Sequence, residues 1–369
     1  MTAAGFTPPP YPYDRLDRLR PVTDAFAGGT VDLSVGTPFD PPPPSVVTAL
    51  AESGAERSYP PSIGTQAFRD AAARWMHRRF DVEVPATQIG ASIGTKEFVG
   101  TLPQWMRLRR PDRDTVLYPA VSYPTYAMGA TLAGCRAVAV PATPDGGLAL
   151  DAIDPSDADR ALLLWSNSPS NPTGALDDLG AAAAWGRTHD VPVFSDECYV
   201  EFTWQGRGRT ILEHGLDGVV AVHSLSKRSN LAGVRVGFYA GDAALVSYLQ
   251  EIRKHVGMMV PGPAQAAAVA ALDDDRHVEV QCDRYASRLE RLAGVLSDWS
   301  GIEVPRPAGA FYLWIPVDDG WAFTERLAGA AGTLVSPGEF YGPAGTAFVR
   351  VAVVQPDERI DLVAERLAG

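Results

Sequence analysis

Six short apolar runs between residues 88 and 239 constrain the fold of this chain more than any other feature of its sequence. Each has the length and composition of a buried strand: Gln88–Ile93, Val116–Tyr118, Ala161–Trp165, Val191–Phe194, Val219–His223 and Val236–Tyr239. Helical stretches such as Leu176–Thr188 lie between several of them. Strands that alternate with helices predict a mostly parallel sheet covered by helices on both faces, which is an α/β architecture.

The segments before this region predict an arm and two helices. Residues 1–44 are rich in proline and end in four consecutive prolines, so we expect an extended, non-helical arm that lies on its own surface or on a partner's. Ser45 has the character of an N-cap for a helix that runs to about Glu56. Apolar residues at helical spacing predict a second helix from Thr65 to Arg79.

The pattern changes after about residue 262. Two long helices, Ala264–Leu272 and Val278–Leu296, are followed by short strands around Phe311–Ile315 and Phe348–Val354. This order is typical of a smaller α+β domain. We therefore predict an N-terminal arm (1–44) associated with the small domain, a large domain (45–262) and a small C-terminal domain (263–369).

Composition limits the classes of partner and compartment. The formal net charge is -12, from 32 Lys+Arg against 44 Asp+Glu, which disfavours binding to nucleic acid. No apolar stretch approaches the roughly 18 residues that a membrane helix needs, and we expect no signal peptide. The three cysteines, Cys135, Cys198 and Cys282, form no CxxC pair, which favours a cytoplasmic protein, and Cys198 is interpreted as a small buried hydrophobe. The histidines show no metal-ligand spacing, so no metal is proposed.

Three of the predicted strands end in polar clusters. Ala161–Trp165 continues into Ser166–Gly174, Val191–Phe194 into Ser195–Tyr199, and Val219–His223 into Ser224–Arg228. The carboxyl ends of parallel strands line one crevice, where ligands bind. We therefore expect four side chains from these clusters to converge, namely Asn171, Asp196, Tyr199 and Lys227.

An amide, a carboxylate, a phenol and an amine around one pocket suit a particular cofactor. A lysine at the end of a buried strand is costly unless it is used, and a Schiff base with an aldehyde uses it. A buried aspartate needs a cation, which a protonated pyridine nitrogen supplies. The amide and the phenol can donate to a phenolate oxygen. These groups together predict a pocket for pyridoxal phosphate.

The clusters also carry a family resemblance. The string Ser224-Leu225-Ser226-Lys227 followed by Leu231–Gly237 resembles the cofactor-lysine motif of the class I and II aminotransferases of fold type I. Asn171-Pro172-Thr173-Gly174 and Asp196-Glu197-Cys198-Tyr199 match the other two signatures of that family in the right order. The resemblance covers nearly the whole chain and implies a large domain with a seven-stranded, mostly parallel sheet sandwiched by helices, and a smaller α+β domain.

The resemblance implies roles for the cofactor pocket. Lys227 is the Schiff-base lysine and proton carrier, Asp196 pairs with the pyridine nitrogen, and Tyr199 and Asn171 hold the ring oxygen. The phosphate lies on the backbone of Gly94-Thr95-Lys96, where a helix begins, and the Lys96 side chain is interpreted as facing solvent. Further residues assigned to the cofactor are Ser224, Ser226, Arg235, Tyr123 stacked on the ring, and Tyr59 from the neighbouring subunit of a homodimer.

The same resemblance assigns the substrate side of the pocket. Arg350 binds the α-carboxylate through its guanidinium fork, with Asn171 beside it, and Gly36 lets backbone approach the same group. Outside these roles, Tyr126 is interpreted as a plain core aromatic and His223 as a strand residue.

Local strings indicate a subgroup. Ile93–Glu97, Val222–Lys227, Arg253–Pro261 and Ser336–Gly342 are similar to those of N-succinyldiaminopimelate aminotransferases, which use glutamate as amino donor and N-succinyl-2-amino-6-oxopimelate as acceptor in lysine and diaminopimelate biosynthesis. Arg228, Arg253 and Lys254 are candidates for the distal end of that acceptor.

Other functions stay open on the sequence. One alternative is an aminotransferase of another amino acid in specialised metabolism. Another is a different pyridoxal-phosphate reaction on the same fold, such as a carbon–sulfur lyase or a decarboxylase. A ligand-sensing regulator would need a basic DNA-binding module, which the acidic charge does not support.

Overall fold

The computed structural model describes residues 5–369 as an α/β structure. Its strands are β1 (Val31–Asp32), β2 (Ile89–Ser92), β3 (Thr115–Pro119), β4 (Arg136–Val140), β5 (Ala161–Asn167), β6 (Val193–Asp196), β7 (Val219–Ser224), β8 (Gly237–Gly241), β9 (Tyr312–Pro316), β10 (Thr333–Leu334), β11 (Ser336–Pro337) and β12 (Phe348–Ala352).

Its α-helices are α1 (Arg20–Thr23), α2 (Pro44–Glu52), α3 (Gln66–Phe80), α4 (Thr95–Arg109), α5 (Thr125–Leu132), α6 (Pro155–Arg160), α7 (Leu179–Thr188), α8 (Leu225–Arg228), α9 (Ala243–His255), α10 (Gly262–Leu272), α11 (Arg276–Ser300), α12 (Gly320–Ala331) and α13 (Asp357–Ala368). Short 3₁₀ segments are Pro12–Leu19, Ala55–Arg57, Ala86–Gln88, Leu150–Ala152, Ile211–His214, Ala232–Val234, Gly338–Tyr341 and Pro343–Gly345.

The seven-stranded sheet confirms the predicted α/β class. Its strand order is β2-β8-β7-β6-β5-β3-β4, and all neighbouring pairs are parallel except those that involve β8. All six predicted strands are present. The seventh, β4, lies at the edge with much of its surface exposed, which is why it lacks the signature of a buried strand.

Helices cover both faces of this sheet. Successive side chains of β7 point in opposite directions, so Val219 and Ala221 pack in one hydrophobic cluster with α3, whereas Val220 and Val222 pack in another with α4 and α9. This double cover leaves the carboxyl ends of the strands as the open edge.

A second group of strands lies in the C-terminal third. The strands β11, β12 and β9 form an antiparallel sheet, and β1 from the N-terminal segment pairs with β10. A separate hydrophobic cluster joins these strands to α11, α12 and α13. The helix α10 instead packs in the cluster of α3, and the domain boundaries at residues 44 and 262 stay predictions.

The prediction of a non-helical arm is wrong for residues 12–23. Pro12–Leu19 forms a 3₁₀ helix and α1 follows it directly. Proline is compatible with the first turn of a helix, where its missing N–H is not needed, and Pro12 and Pro21 both occupy such positions. Among residues 5–369, no helix is both long and apolar enough to cross a membrane.

Candidate active site

A cavity of about 500 Å³ opens at the carboxyl ends of β5, β6 and β7. Side chains from the large sheet, the small sheet and the N-terminal segment line it: Tyr11, Tyr13, Val35, Gly36, Thr37, Thr95, Lys96, Val99, Tyr123, Tyr126, Asn167, Asn171, Asp196, Cys198, Tyr199, Ser224, Ser226, Lys227, Ala232, Arg235, Tyr312 and Arg350. The four side chains expected to converge are all among them.

Lys227 is carried into the cavity by α8, which begins directly after β7. Its Nζ donates to the carbonyl oxygen of Gly36 at 2.5 Å. Desolvation lowers the pKa of Lys227 to about 8, and the nearby positive charges of Arg350 and Arg235 act in the same direction. About a tenth of this amine is therefore neutral, and so nucleophilic, at pH 7, far more than for a lysine with its ordinary pKa.

Asp196 ends β6 and is buried in the cavity wall. Burial raises the pKa of its carboxyl, and hydrogen bonds from the Tyr126 hydroxyl (2.8 Å) and the Cys198 N–H (3.2 Å) oppose that rise. No Lys, Arg or His nitrogen of residues 5–369 lies within 4.0 Å of it. The site therefore fits a ligand that brings its own cation, such as a protonated pyridine nitrogen.

The interpretation of Tyr126 as a plain core aromatic is wrong. Its ring is fully buried and packs against Trp165, as a core residue would, but its hydroxyl donates to Asp196. A buried tyrosine hydroxyl needs a partner, and this requirement is the one signal in the sequence that points to a polar role. Cys198 is buried as expected, and its thiol contacts the Thr95 hydroxyl in the cavity wall.

Arg350 and Asn171 lie side by side although 179 residues separate them. The buried Arg350 guanidinium donates to Asn171 Oδ1 at 2.7 Å and to the Ser34 carbonyl at 2.5 Å. Its Nε has no hydrogen-bond partner among the described residues. An unpartnered, buried guanidinium N–H at a cavity wall can accommodate a carboxylate.

One end of the cavity has the features of an anion site. The 15-residue helix α4 begins at Thr95, and its free N–H groups follow Gly94. A Cβ at Gly94 would lie 2.2 Å from Nη2 of Arg235, so glycine is required for the arginine to approach the helix start. Ser224 and Ser226 line the same cavity, and the Ser224 hydroxyl accepts the Ser226 N–H. This donor set fits a phosphate group.

The N-terminal segment and the small sheet supply residues that the sequence did not single out. Tyr11 and Tyr13 precede and begin the 3₁₀ helix, and Tyr312 comes from β9. The Lys96 ammonium donates to the Tyr11 hydroxyl at 3.1 Å and lies over the Tyr11 ring. Lys96 is exposed, as expected, yet it lies at the cavity wall rather than pointing away from it.

Several expected residues lie elsewhere. Arg228 is buried against Glu201 and Asp275, Arg253 is buried in a two-bond ion pair with Glu97, and Lys254 lies on the surface near Glu251. None of the three lines the cavity. They do not fit the expected distal site, because the first two are already neutralised and the third faces away.

Tyr59 and His223 lie outside the cavity wall of this chain; the interpretation of His223 as a strand residue is confirmed, and the role of Tyr59 in a neighbouring subunit stays a prediction. Tyr59 is 92% exposed and does not line the cavity of its own chain. His223 lies in β7 between Trp75 and Phe238, and burial lowers its pKa to about 3, so it stays neutral. His223 does not line the cavity either.

Comparison with known sequences identifies relatives over nearly the full chain. The family model for aminotransferases of class I and II matches residues 29–367. The 4-dedimethylamino-4-oxo-anhydrotetracycline transaminase OxyQ of Streptomyces rimosus is 40% identical over 97% of this chain and 99% of its own. The LL-diaminopimelate aminotransferase of Aquifex aeolicus is 33% identical over 97% and 96%, respectively.

Solved structures agree with this relationship. Substrate-bound BacF of Bacillus subtilis superposes with a TM-score of 0.90 at 26% identity, covering 99% of this chain and 97% of its own. A probable N-succinyldiaminopimelate aminotransferase of Thermus thermophilus gives a TM-score of 0.87 at 30% identity, covering 96% and 98%. The chain therefore belongs to the class I and II aminotransferases, which use pyridoxal phosphate as cofactor.

Proposed function

We propose that this aminotransferase moves an amino group from glutamate to a 2-oxo acid, with Lys227 as the residue that carries the proton. The observation that supports this assignment is the convergence of Lys227, Asp196, Tyr199 and Arg350 on one cavity from distant parts of the chain. Pyridoxal phosphate, when bound through Lys227, supplies an electron sink for the bond that breaks at the substrate Cα. Side chains of the protein supply the acid, the base and the groups that bind the substrate.

Five side chains have proposed roles in this chemistry. Lys227 would remove the Cα proton of the substrate and return it to the C4′ carbon of the bound cofactor, as general base and then as general acid. Asp196 would keep the ring nitrogen of the cofactor protonated, and Tyr199 and Asn171 would hold its ring oxygen. Arg350 fixes the substrate carboxylate and so sets which bond to Cα stands perpendicular to the ring.

The anion end of the cavity is assigned to the cofactor phosphate. The backbone N–H groups of Gly94, Thr95 and Lys96, the hydroxyls of Ser224 and Ser226, and the Arg235 guanidinium are its proposed ligands. Tyr123 is proposed to stack on the ring and Gly36 to contact the substrate carboxylate. These assignments follow the family motifs, which occur in the expected order along the sequence.

A homodimer is part of the proposal. Tyr59 is 92% exposed and does not line the cavity of its own chain. Its exposure supports a role at the phosphate of a second copy of the chain. The cytoplasm is the proposed location, since the three cysteines are free thiols.

The lowered pKa of Lys227 predicts how fast cofactor-free protein captures pyridoxal phosphate at different pH values. Only the neutral amine attacks the aldehyde, so we expect the capture rate to fall about tenfold per pH unit below the pKa and to level off above about 8. Stopped-flow absorbance measures this rate. A rate that keeps rising to pH 10 would show that the amine has its ordinary pKa near 10.5. Lys227→Ala with added methylamine is the control, because that free amine keeps its solution pKa and should show the continued rise.

The proposed acceptor is N-succinyl-2-amino-6-oxopimelate, which carries carboxylates remote from its oxo group. Lys96 supports this choice, since its ammonium lies at the cavity wall beside Tyr11 and no carboxylate of residues 5–369 forms an ion pair with it. The diaminopimelate enzymes among the relatives act, by their names, on substrates of the same chemical class. A distal carboxylate would give this ammonium a partner.

A second acceptor is supported by a different observation. Tyr11, Tyr13 and Tyr123 make one wall of the cavity aromatic, and the Streptomyces relative acts, by its name, on an oxo derivative of anhydrotetracycline. A flat polycyclic ketone would stack on such a wall. This acceptor has no carboxylate next to its oxo carbon, so Arg350 would not contribute to binding it in the same way.

An acceptor panel with an Arg350 variant separates these functions. Protein loaded with amino groups from glutamate is offered 2-oxo acids, the succinylated 6-oxopimelate and a polycyclic ketone, and the aminated products are identified by mass spectrometry. Arg350→Met should raise KM for glutamate and for every 2-oxo acid about 10- to 100-fold, because a charged hydrogen-bonded pair is lost. KM for the ketone should stay nearly unchanged. Failure of glutamate to load the cofactor would contradict the proposed donor.

A further inference from the structure

Tyr312 lies between a residue proposed to bind the cofactor and a residue proposed to bind the substrate. It lies on β9 of the small sheet, is 1% exposed, and its hydroxyl is 2.9 Å from that of Tyr199, which belongs to the loop after β6. The Arg350 guanidinium lies over the Tyr312 ring at 4.2 Å from its centroid. One side chain thus contacts both the phenol proposed for the cofactor and the guanidinium proposed for the substrate.

The same hydroxyl also fits closely against the backbone that contacts the lysine. A Cβ at Gly36 would lie 2.1 Å from the Tyr312 oxygen, so residue 36 must be glycine for Tyr312 to keep this position. The carbonyl of Gly36 accepts the Lys227 ammonium. Tyr312 therefore packs against three elements of the site that come from separate parts of the sequence.

Proton counting sets the direction of the hydrogen bond between the two tyrosines. A phenol has one proton, so if Tyr199 donates to the ring oxygen of the cofactor, Tyr312 must donate to Tyr199. Burial raises the pKa of both hydroxyls, that of Tyr312 to about 12, so both keep their protons at neutral pH. Accepting a hydrogen bond makes Tyr199 a stronger donor, because bonds in a chain polarise one another.

We infer that Tyr312 is a positioning residue of the transamination site, which orients and polarises the Tyr199 hydroxyl through its own hydroxyl and supports Arg350 through its ring. This inference rests on the proposed roles of Tyr199 and Arg350. The Tyr312 hydroxyl has the Tyr199 hydroxyl as its hydrogen-bond partner, and no carboxylate of residues 5–369 forms a hydrogen bond with it. Its effect therefore reaches the cofactor through the Tyr199 hydroxyl.

Spectroscopic titration of the cofactor-loaded protein tests this inference without measuring turnover. The bound cofactor changes colour when its linkage to Lys227 loses a proton, and a donor to the ring oxygen lowers the pH midpoint of that change. Tyr312→Phe removes only the hydroxyl, and we expect the midpoint to rise by about 0.4 to 1 pH unit. Tyr199→Phe should raise it by at least as much, and the double variant should match Tyr199→Phe alone.

Tyr341→Phe is the matched control. The Tyr341 ring also lies under Arg350, at 4.8 Å, but its hydroxyl bonds to Tyr13 and not to Tyr199, so the midpoint should not move. A Tyr312→Phe midpoint equal to that of the unaltered protein overturns the inference, as does a second, additive shift in the double variant. If Tyr199→Phe itself leaves the midpoint unchanged, the proposed role of Tyr199 fails and the inference fails with it.

The ring of Tyr312 has a separate role, the support of Arg350, which can be measured on its own. Tyr312→Phe keeps an aromatic face under Arg350, so KM for glutamate should change less than threefold, whereas Tyr312→Leu removes that face and should raise KM about fivefold to tenfold. Equal KM values for the two variants would contradict the support assigned to the ring.

Discussion

Lys227→Ala is expected to lower kcat by a factor of at least about 10⁴, because the variant loses the only group proposed to move the Cα proton. The side chain is an amine at a cavity floor, with its pKa lowered to about 8 and its Nζ held by the Gly36 carbonyl. Lys96, the other lysine among residues 5–369 that lines the cavity, is hydrogen-bonded to Tyr11, so we do not expect it to replace the lost amine. Single-turnover formation of 2-oxoglutarate from glutamate measures the loss.

The same variant should still bind the cofactor. The anion end of the cavity, with Gly94, Arg235 and the helix start at Thr95, does not depend on Lys227. Pyridoxal phosphate should therefore remain bound during gel filtration. Borohydride should not attach it covalently to the variant, so denaturation should release it. Small amines added to the variant should restore part of the turnover. Turnover of Lys227→Ala within tenfold of the unaltered protein would refute the assignment.

Much of the large sheet could be predicted from local sequence because buried strands are short and continuously apolar. All six strands predicted for the large sheet agree with the observed strands to within about two residues at each end. The edge strand β4 was missed because its side chains are largely exposed. The 3₁₀ helix at Pro12–Leu19 was missed because a proline-rich segment predicts extended chain, although proline also suits the start of a helix.

The site, like the fold, has residues that could be predicted from the sequence and residues that could not. Asn171, Asp196, Tyr199 and Lys227 could be grouped in advance because parallel strands bring their carboxyl ends to one edge. Tyr11, Tyr13 and Tyr312 could not, since they reach the cavity from the arm and the small sheet, and no local pattern encodes how those elements pack against the large sheet.

Charged residues show the limit of local patterns most clearly. Arg228 and Arg253 look like free cations in the sequence, but their partners Glu201 and Glu97 are 27 and 156 residues away along the chain. Whether a cation is available to a substrate depends on such long-range pairing. Arg350, in contrast, remains available to a substrate, because its Nε has no hydrogen-bond partner among the described residues.

Asp196→Asn is expected to lower kcat about 10²- to 10³-fold, the usual effect of removing one preorganised charge that acts on the reacting group. Asparagine is nearly the same shape: its Oδ1 can accept from the Cys198 N–H, and its amide N–H can donate to the Tyr126 hydroxyl oxygen, so the site should fold unchanged. Asparagine lacks the negative charge that is proposed to keep the ring nitrogen protonated, and no other carboxylate of residues 5–369 lines the cavity. Rapid-quench measurement of the glutamate half-reaction isolates this loss from acceptor binding.

Tyr126→Phe supplies the comparison that makes the result interpretable. It removes one hydrogen bond to Asp196 but keeps the carboxylate charge, so kcat should fall only about tenfold or less. A charge requirement thus predicts a much larger loss for Asp196→Asn than for Tyr126→Phe. A purely positional requirement predicts the reverse, because asparagine can keep both polar contacts, one of them with its direction reversed, whereas phenylalanine removes the contact between residue 126 and Asp196. Equal losses would mean that Asp196 acts mainly by holding its neighbours in place, and the pairing of its charge with the ring nitrogen would have to be abandoned.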